Sequence, residues 1–112
     1  MERPHFDTPL LLQAPTQTVD AGGGVAVTWE TLGSVWADIS PVSAREIVSG
    51  LREGARISHR ITVRSAAIGS PRRPRPEQRL RAGERIFAIR AVVPSGSQGR
   101  YLTCWAEEGP FS

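Results

Sequence analysis

Short segments that alternate between apolar and polar residues run through the chain, and this alternation constrains the fold most. The clearest segment is Ile57–Arg64: one side carries Ile57, His59, Ile61 and Val63, and the other carries Ser58, Arg60, Thr62 and Arg64. A period of two places successive side chains on opposite faces of a β-strand. Eleven glycines and nine prolines in 112 residues supply frequent turns between such segments. The chain is therefore predicted to be mostly β.

The remaining strands follow from the same pattern. A hairpin is predicted from Leu10–Gln13 through the turn glycines Gly22–Gly24 to Val25–Glu30, with Pro9 and Pro15 keeping its first strand at a sheet edge. Further strands are predicted at Ser34–Ser40, Ile86–Val93 and Arg100–Ala106. The expected fold is a small β-barrel or sandwich of about six short antiparallel strands.

One segment has a helical period instead. Ala44, Ile47, Val48 and Leu51 recur at helical spacing. Ser43–Glu46 fits a capping box, in which the Ser hydroxyl and the Glu carboxylate bind free backbone N–H groups. A short inserted α-helix that ends near Gly54 is predicted here.

The length of 112 residues fits a single domain, 1–112, with a flexible N-terminus at about 1–8 and a long loop at about 66–80. A lone cysteine, Cys104, cannot form an intramolecular disulfide, which favours a reducing compartment. Apolar runs are too short to cross a bilayer, and the first residues lack the apolar core of a signal peptide. No contact with a membrane is expected, and a reducing cytosol is the expected place of synthesis or assembly.

Positive charge is concentrated in the loop. The chain carries a formal charge of +3, and all 14 of its basic residues are arginine. Residues 66–81 contain five of them, Arg72, Arg73, Arg75, Arg79 and Arg81, against the single acid Glu77, a local charge of +4. Three prolines favour extended backbone. Either this is a solvated loop with no specific partner, or it contacts duplex phosphates without reading bases.

Catalytic, cofactor and metal sites are not predicted. One cysteine and two separated histidines, His5 and His59, cannot supply the four ligands of a zinc site. His59 lies on the apolar face of its strand and is predicted to be a hydrogen-bonded core residue rather than a metal ligand. Cys104 falls at a predicted core position, where a small packed residue is expected rather than a reactive thiol. An enzyme is therefore not expected.

Large aromatic residues fall on the faces opposite the predicted core. Trp36 is opposite Val35, Ala37 and Ile39, and both Tyr101 and Trp105 are opposite Leu102 and Cys104. Either both faces are covered inside a small barrel, or Trp36, Tyr101 and Trp105 form a subunit interface, where aromatic side chains contribute strongly.

The ordered set of segments resembles the head–tail adaptor, or head-closure (stopper), proteins of tailed bacteriophages and gene transfer agents. The resemblance covers the chain from about Val19 to Glu108. Its first half is carried by Val19–Gly24, Val27–Glu30, Val35–Ile39 and Ser43–Glu46, and its second half by Ser58–Arg64, Arg79–Ile89 and Leu102–Glu107.

The resemblance implies a small β-barrel with an inserted helix and no catalytic residues. It also implies a homo-oligomeric ring in a virion or phage-like particle. Portal and adaptor proteins would lie above the ring, and tail terminator or tail proteins below it. A loop from each subunit would narrow the channel and help retain double-stranded DNA. The Arg- and Pro-rich segment departs from the family pattern.

The alternative is a free-standing nucleic-acid-binding β-barrel of the OB or SH3-like kind. Such modules place aromatic residues beside their basic surface for base stacking. The arginines of residues 72–81 have no aromatic residue between them, which favours the connector.

Overall fold

Six antiparallel strands form a closed barrel in the computed structural model, which describes residues 4–42 and 57–110. The strands are β1 Thr8–Val19, β2 Val25–Pro41, β3 His59–Arg64, β4 Arg79–Ala82, β5 Arg85–Ser95 and β6 Tyr101–Glu108. Their order around the barrel is β1-β2-β3-β6-β5-β4, and β4 returns to pair with β1. The mostly β fold class is confirmed.

Side chains from all six strands fill the barrel. Alternation along each strand sends every second residue inward, so the buried set repeats the predicted apolar faces of β3 and β6. The core consists of Leu10, Leu12, Ala37, Ile61, Val63, Leu80, Phe87, Ile89, Leu102, Cys104 and Ala106. Its interior is therefore packed rather than open.

The first two strands are much longer than predicted. β1 has 12 residues and β2 has 17, so the two separate strands expected at Val25–Glu30 and Ser34–Ser40 are one continuous strand. Leu32 and Gly33 suggested a break, but they lie at a β-bulge, where the register with β1 shifts between Leu12 and Gln13. An extra residue in one strand bends the pair without ending it.

The strand β4 was missed because its sequence is Arg-rich. Arg79–Ala82 was assigned mainly to the loop, yet it pairs with β5 and with Leu11–Gln13 of β1. The expectation that β1 lies at a sheet edge is therefore wrong for Leu11–Gln13, which has a neighbour on both sides. The predicted number of six strands is right only because two errors cancel. Two predicted strands are both part of β2, and β4 was not predicted.

The loop of residues 65–78 is folded rather than extended. The Arg73 N–H donates to the Ser70 carbonyl at 3.0 Å, and the Gln78 N–H donates to the Arg75 carbonyl at 3.2 Å, which marks two tight turns. Pro74 is fully buried. The prediction of a polyproline-like backbone is wrong, since turns and burial of a proline hold this segment against the barrel.

The predicted helix over Ser43–Gly54 lies outside the described residues. Within the described ranges, helical structure is limited to a 3₁₀ turn at Ser97–Gly99 between β5 and β6. Among those same residues, none forms a helix with the length and apolar character that crossing a membrane requires.

Candidate interaction surfaces

Two of the predicted interface aromatics lie in one row across the outer surface of the barrel. Arg64 of β3 pairs with Tyr101 of β6, and it lines a pocket together with Trp36 of β2 and Phe6. The rings of Phe6 and Tyr101 are 5.7 Å apart, and the Arg64 guanidinium lies 4.8 Å from the Phe6 centroid. We call Phe6, Trp36, Arg64 and Tyr101 the aromatic patch.

Trp36 is the most exposed aromatic side chain of the patch. It is 58% exposed, while Ala37 beside it is fully buried. This places Trp36 outside the core, as the alternation predicts, and the residues that the structure describes leave its outer face largely uncovered. A large exposed aromatic with a mostly apolar pocket beside it is typical of a binding surface.

A groove adjoins the aromatic patch on the side of the Arg-rich segment. It has a volume of about 250 Å³. Its lining residues are Ser34, Val35, Trp36, Val63, Arg64, Ser65, Ala66 and Arg72. Its apolar lining residues are Val35, Trp36, Val63 and Ala66, and Arg64 and Arg72 provide its positive charge. We call it the Trp36 groove.

Trp105 stands apart from the patch. It is half-buried on β6, four residues beyond Tyr101, and its neighbours across the sheet are Arg60 of β3 and Ala91 of β5. The predicted trio of interface aromatics is thus divided into a pair, Trp36 and Tyr101, and a separate Trp105.

The five arginines of the predicted DNA-channel loop are divided between a loop and a strand. Arg79 and Arg81 belong to β4, and the Arg81 Nε donates to the Gly83 carbonyl at 2.7 Å. The Arg73 Nη1 donates to the Ala66 carbonyl at 2.7 Å, which holds the loop closed. Arg72 and Arg75 are exposed, and these two are the best placed to meet a partner.

Arg79 is fixed at the base of the long β1–β2 hairpin. Its Nε donates to Gln13 Oε1 at 2.7 Å, and Gln13 Nε2 donates in turn to the Thr31 hydroxyl at 3.0 Å. The Arg79 guanidinium lies 4.1 Å from the centre of a Trp29 ring. Partial burial, and then the nearby charge of Arg81, lower the pKa of Arg79 below the usual value of an arginine. Arg79 therefore serves as a structural link between β4 and the hairpin.

Comparison with known proteins agrees with this architecture. The model of the phage head completion protein family matches residues 1–109. The chain belongs to the phage head completion protein family. Because this is a family of structural virion proteins, the chain is a structural protein and not an enzyme. No curated protein matches the chain.

Two solved structures share the fold of this head completion protein. One is a chain in the virion of a native gene transfer agent particle, with 38% sequence identity and a TM-score of 0.73 over 96% of this chain and 98% of that chain. The other is the solution structure of protein SF1141 from Shigella flexneri 2a, with 24% identity and a TM-score of 0.72 over 97% of both chains. The second supports the fold alone.

The polar groups of this head completion protein near the end of β6 are structural. His59 Nδ1 is 2.9 Å from the Ser58 hydroxyl, and the His59 and Phe87 rings form a T-shaped pair with centroids 5.3 Å apart. The predicted hydrogen bond of His59 is therefore present, but the prediction of a core residue is wrong, because His59 is half-buried and lies outside the core cluster. Glu108 accepts hydrogen bonds from the Arg85 Nε and Nη2 at 2.9 and 3.2 Å. The Arg85 hydrogen bond lowers the pKa of Glu108.

Cys104 is packed as predicted. It is fully buried between β3 and β5, and burial raises the pKa of its thiol to about 12. A thiol with so high a pKa is a poor nucleophile and a poor metal ligand at neutral pH. In the part of the chain that the structure describes, His, Cys, Asp and Glu side chains do not form a group of three or more that could hold a metal ion.

Phe6, Arg64 and the Gln13–Arg79 link were missed from the sequence. The surface position of Arg64 could have been predicted, because it follows the buried Val63 on β3 and so lies on the outer face of that strand. Phe6 precedes the first strand and carries no periodic signal. Gln13 and Arg79 are 66 residues apart in sequence, so their pairing depends on barrel closure.

Proposed function

We propose that this head completion protein is the subunit of a homo-oligomeric ring in the head–tail connector, at the head-closure (stopper) position. The ring would join portal and adaptor proteins to tail terminator or tail proteins in a virion or phage-like particle assembled in the host cytoplasm. The observation that carries the proposal is the exposed Trp36 beside an apolar groove, in a chain of the head completion family. The similarity to a gene transfer agent virion chain over nearly the whole length supports it.

Formation of the ring should depend on the rest of the particle. A barrel of this size offers small lateral contacts, and a head-to-tail contact that formed early would risk open polymers. We expect the purified chain to be a folded monomer or weak oligomer at micromolar concentration and to join a closed ring only on portal–adaptor complexes. Native mass measurement of the chain alone and of its mixture with those complexes tests this. A stable large ring formed by the chain alone would contradict it.

We further propose that the Arg-rich segment meets the phosphate backbone of the packaged DNA. In a ring, several copies of a segment with net charge +4 would create a strong positive field around one duplex. Arg72 and Arg75 would carry the contact directly. Arg73, Arg79 and Arg81 would add to the field from fixed positions, since each donates a hydrogen bond within its own subunit.

The charge of Arg75 gives the cleanest test, because Arg72 also lines the Trp36 groove. Arg75→Gln particles should assemble but lose DNA more readily as salt is raised, since sequence-independent phosphate contacts weaken with salt. Arg75→Lys is the matched control and should behave as the parent, because it retains the charge. DNA release is measured by nuclease sensitivity across a salt series. Equal retention of DNA by Arg75→Gln, Arg75→Lys and parent particles would refute the proposed DNA contact, but it would not affect the ring proposal.

A free-standing nucleic-acid-binding barrel is less well supported. Folding does bring Trp29 beside the basic strand β4. However, the Arg79 guanidinium lies over the Trp29 ring, and it occupies a face on which a base would stack.

A further inference from the structure

The outer half of the β1–β2 hairpin projects from the barrel as a two-stranded arm. Within residues 4–42 and 57–110, the strand segment Ala14–Val19 beyond the bulge pairs only with Val25–Glu30. Every residue from Pro15 to Thr31 is exposed. The described chain is correspondingly elongated, with extents of 54 × 30 × 25 Å. The turn is well defined, since the Asp20 carboxylate accepts hydrogen bonds from the Gly22 and Gly24 N–H groups at 2.9 and 2.8 Å.

The arm has one apolar face and one polar face. Residues paired directly across the hairpin share a face, so one face carries Pro15, Gln17, Val19, Val25, Val27 and Trp29. The exposed fractions of Val19, Val25 and Val27 are 77%, 63% and 54%. The opposite face carries Thr16, Thr18, Ala26, Thr28, Ala14 and Glu30.

An arm of this kind is incomplete without a partner. An isolated two-stranded ribbon is at best marginally stable in water, and it becomes stable when one face is packed. Three valines on one exposed face form the apolar surface that such packing would cover. Along both edges of the arm, the backbone has no further strand partner among the described residues, which adds to the need for a neighbour.

The arm cannot cover the Trp36 groove of its own subunit. Val27 and Trp36 lie nine residues apart on the continuous strand β2. At about 3.3 Å per residue this is a distance of about 30 Å. Any contact between the arm and a Trp36 groove therefore joins two different copies of the chain.

The two surfaces are complementary in polarity and charge. Asp20 and Glu30 are the charged residues of the arm, which gives it a net charge of −2. The groove has apolar walls, and Arg64 and Arg72 contribute positive charge. A cavity of about 150 Å³ holds a benzene molecule, so a groove of about 250 Å³ has room for the valine side chains of the arm. The negative arm would be repelled by DNA phosphates.

We propose that the arm of each subunit packs its Val25–Val27 face into the Trp36 groove of the neighbouring copy. This rests on the proposed ring, and it names the contact that closes it. Arm and groove are different surfaces of one chain, so the contact is head-to-tail, as a cyclic ring of more than two subunits requires.

A disulfide between neighbours tests the contact. Cys104 is buried with a raised pKa and leaves the background free of reactive thiols. The first variant combines Val27→Cys with Ser65→Cys, because Ser65 lines the groove. A second variant, Val25→Cys with Ser65→Cys, allows for a shift of the arm by two residues. Thr28→Cys with Ser65→Cys is the matched control, because Thr28 lies on the opposite face of the arm. A bond within one subunit is excluded, since a disulfide requires Cα atoms within about 7 Å.

Oxidised particles should give a ladder of covalent multiples of this chain from the Val25 or Val27 pair, and none from the Thr28 pair or from single-cysteine variants. Rings that are present without a ladder, or a ladder of equal strength from the Thr28 pair, would overturn the arm contact and leave the ring intact. Cross-linked bands that contain a portal, adaptor or tail protein would assign the arm to that partner instead. Absence of any ring from parent particles would overturn both proposals.

Discussion

Replacement of Trp36 by alanine should weaken ring assembly more than folding. Trp36 is 58% exposed, and a large aromatic side chain buries about 150–250 Å² when fully covered. The exposed part is therefore about 115 Å². At 25 cal/mol per Å² its burial contributes about 3 kcal/mol to each subunit contact. This corresponds to a change of about 150-fold in the dissociation constant.

The cost to the monomer is smaller. The part of Trp36 that is already covered amounts to about 80 Å², which corresponds to at most about 2 kcal/mol of folding stability. A domain with a typical stability of 5–15 kcal/mol stays folded after such a loss. Leu102→Ala is the matched control, because Leu102 is fully buried. It should cost about 2–5 kcal/mol in folding and leave the outer surface unchanged.

Two measurements on each variant separate the effects. Urea unfolding of the isolated chain gives the folding loss, and titration onto portal–adaptor complexes, followed by native mass measurement, gives the assembly loss. Trp36→Ala should lose assembly at concentrations where Leu102→Ala still forms rings. The reasoning is refuted if Trp36→Ala assembles like the parent, or if Leu102→Ala loses assembly to the same extent.

Three further predictions concern groups away from Trp36. Cys104 should remain unmodified by maleimide at pH 8 in the native chain and react fully in urea, because burial raises its pKa to about 12; rapid labelling of the native chain would contradict this. Glu108, whose pKa the Arg85 hydrogen bond holds below 4.5, should stabilise the fold above that pH and lose this contribution as pH falls. Glu108→Gln should therefore reduce the change in the urea midpoint between pH 5 and pH 3. A pH dependence equal to that of the parent would argue against this contribution of Glu108. Gly96→Ala should destabilise more than Gly99→Ala in the same assay, for two reasons. Gly96 has φ 76° and ψ 176°, a conformation that is nearly restricted to glycine, and its added Cβ would lie 2.7 Å from a Tyr101 ring carbon. Equal losses would contradict this.

The parts of the fold that follow local alternation were predictable from the sequence. The faces of β3 and β6 follow from period-two patterns in the sequence, which place Cys104 inside, and the same alternation in β2 places Trp36 on the outside. Local alternation reports which side of a strand is buried, because burial of every second residue is a property of the single strand.

The parts that depend on distant pairing were not predictable. Arg79–Ala82 has the composition of a loop, and it is a strand because β1 and β5 both offer it hydrogen-bonding partners. The bulge near Leu32 looked like a turn, since a bulge and a strand end have the same local sequence features. The aromatic patch was recovered only in part, because Phe6 has no periodic context.

Closure of the barrel has a kinetic consequence. The seam between β1 and β4 joins Gln13 to Arg79, so it can form only after 65 intervening residues have been brought into place. Contacts of such long range fold slowly, on the scale of milliseconds to seconds for all-β domains. Until the seam closes, β1 and β4 each present an open edge that can pair with another chain. A newly made subunit is therefore prone to aggregation for a short period, because the edges of β1 and β4 that later close the barrel are still free to pair with another chain.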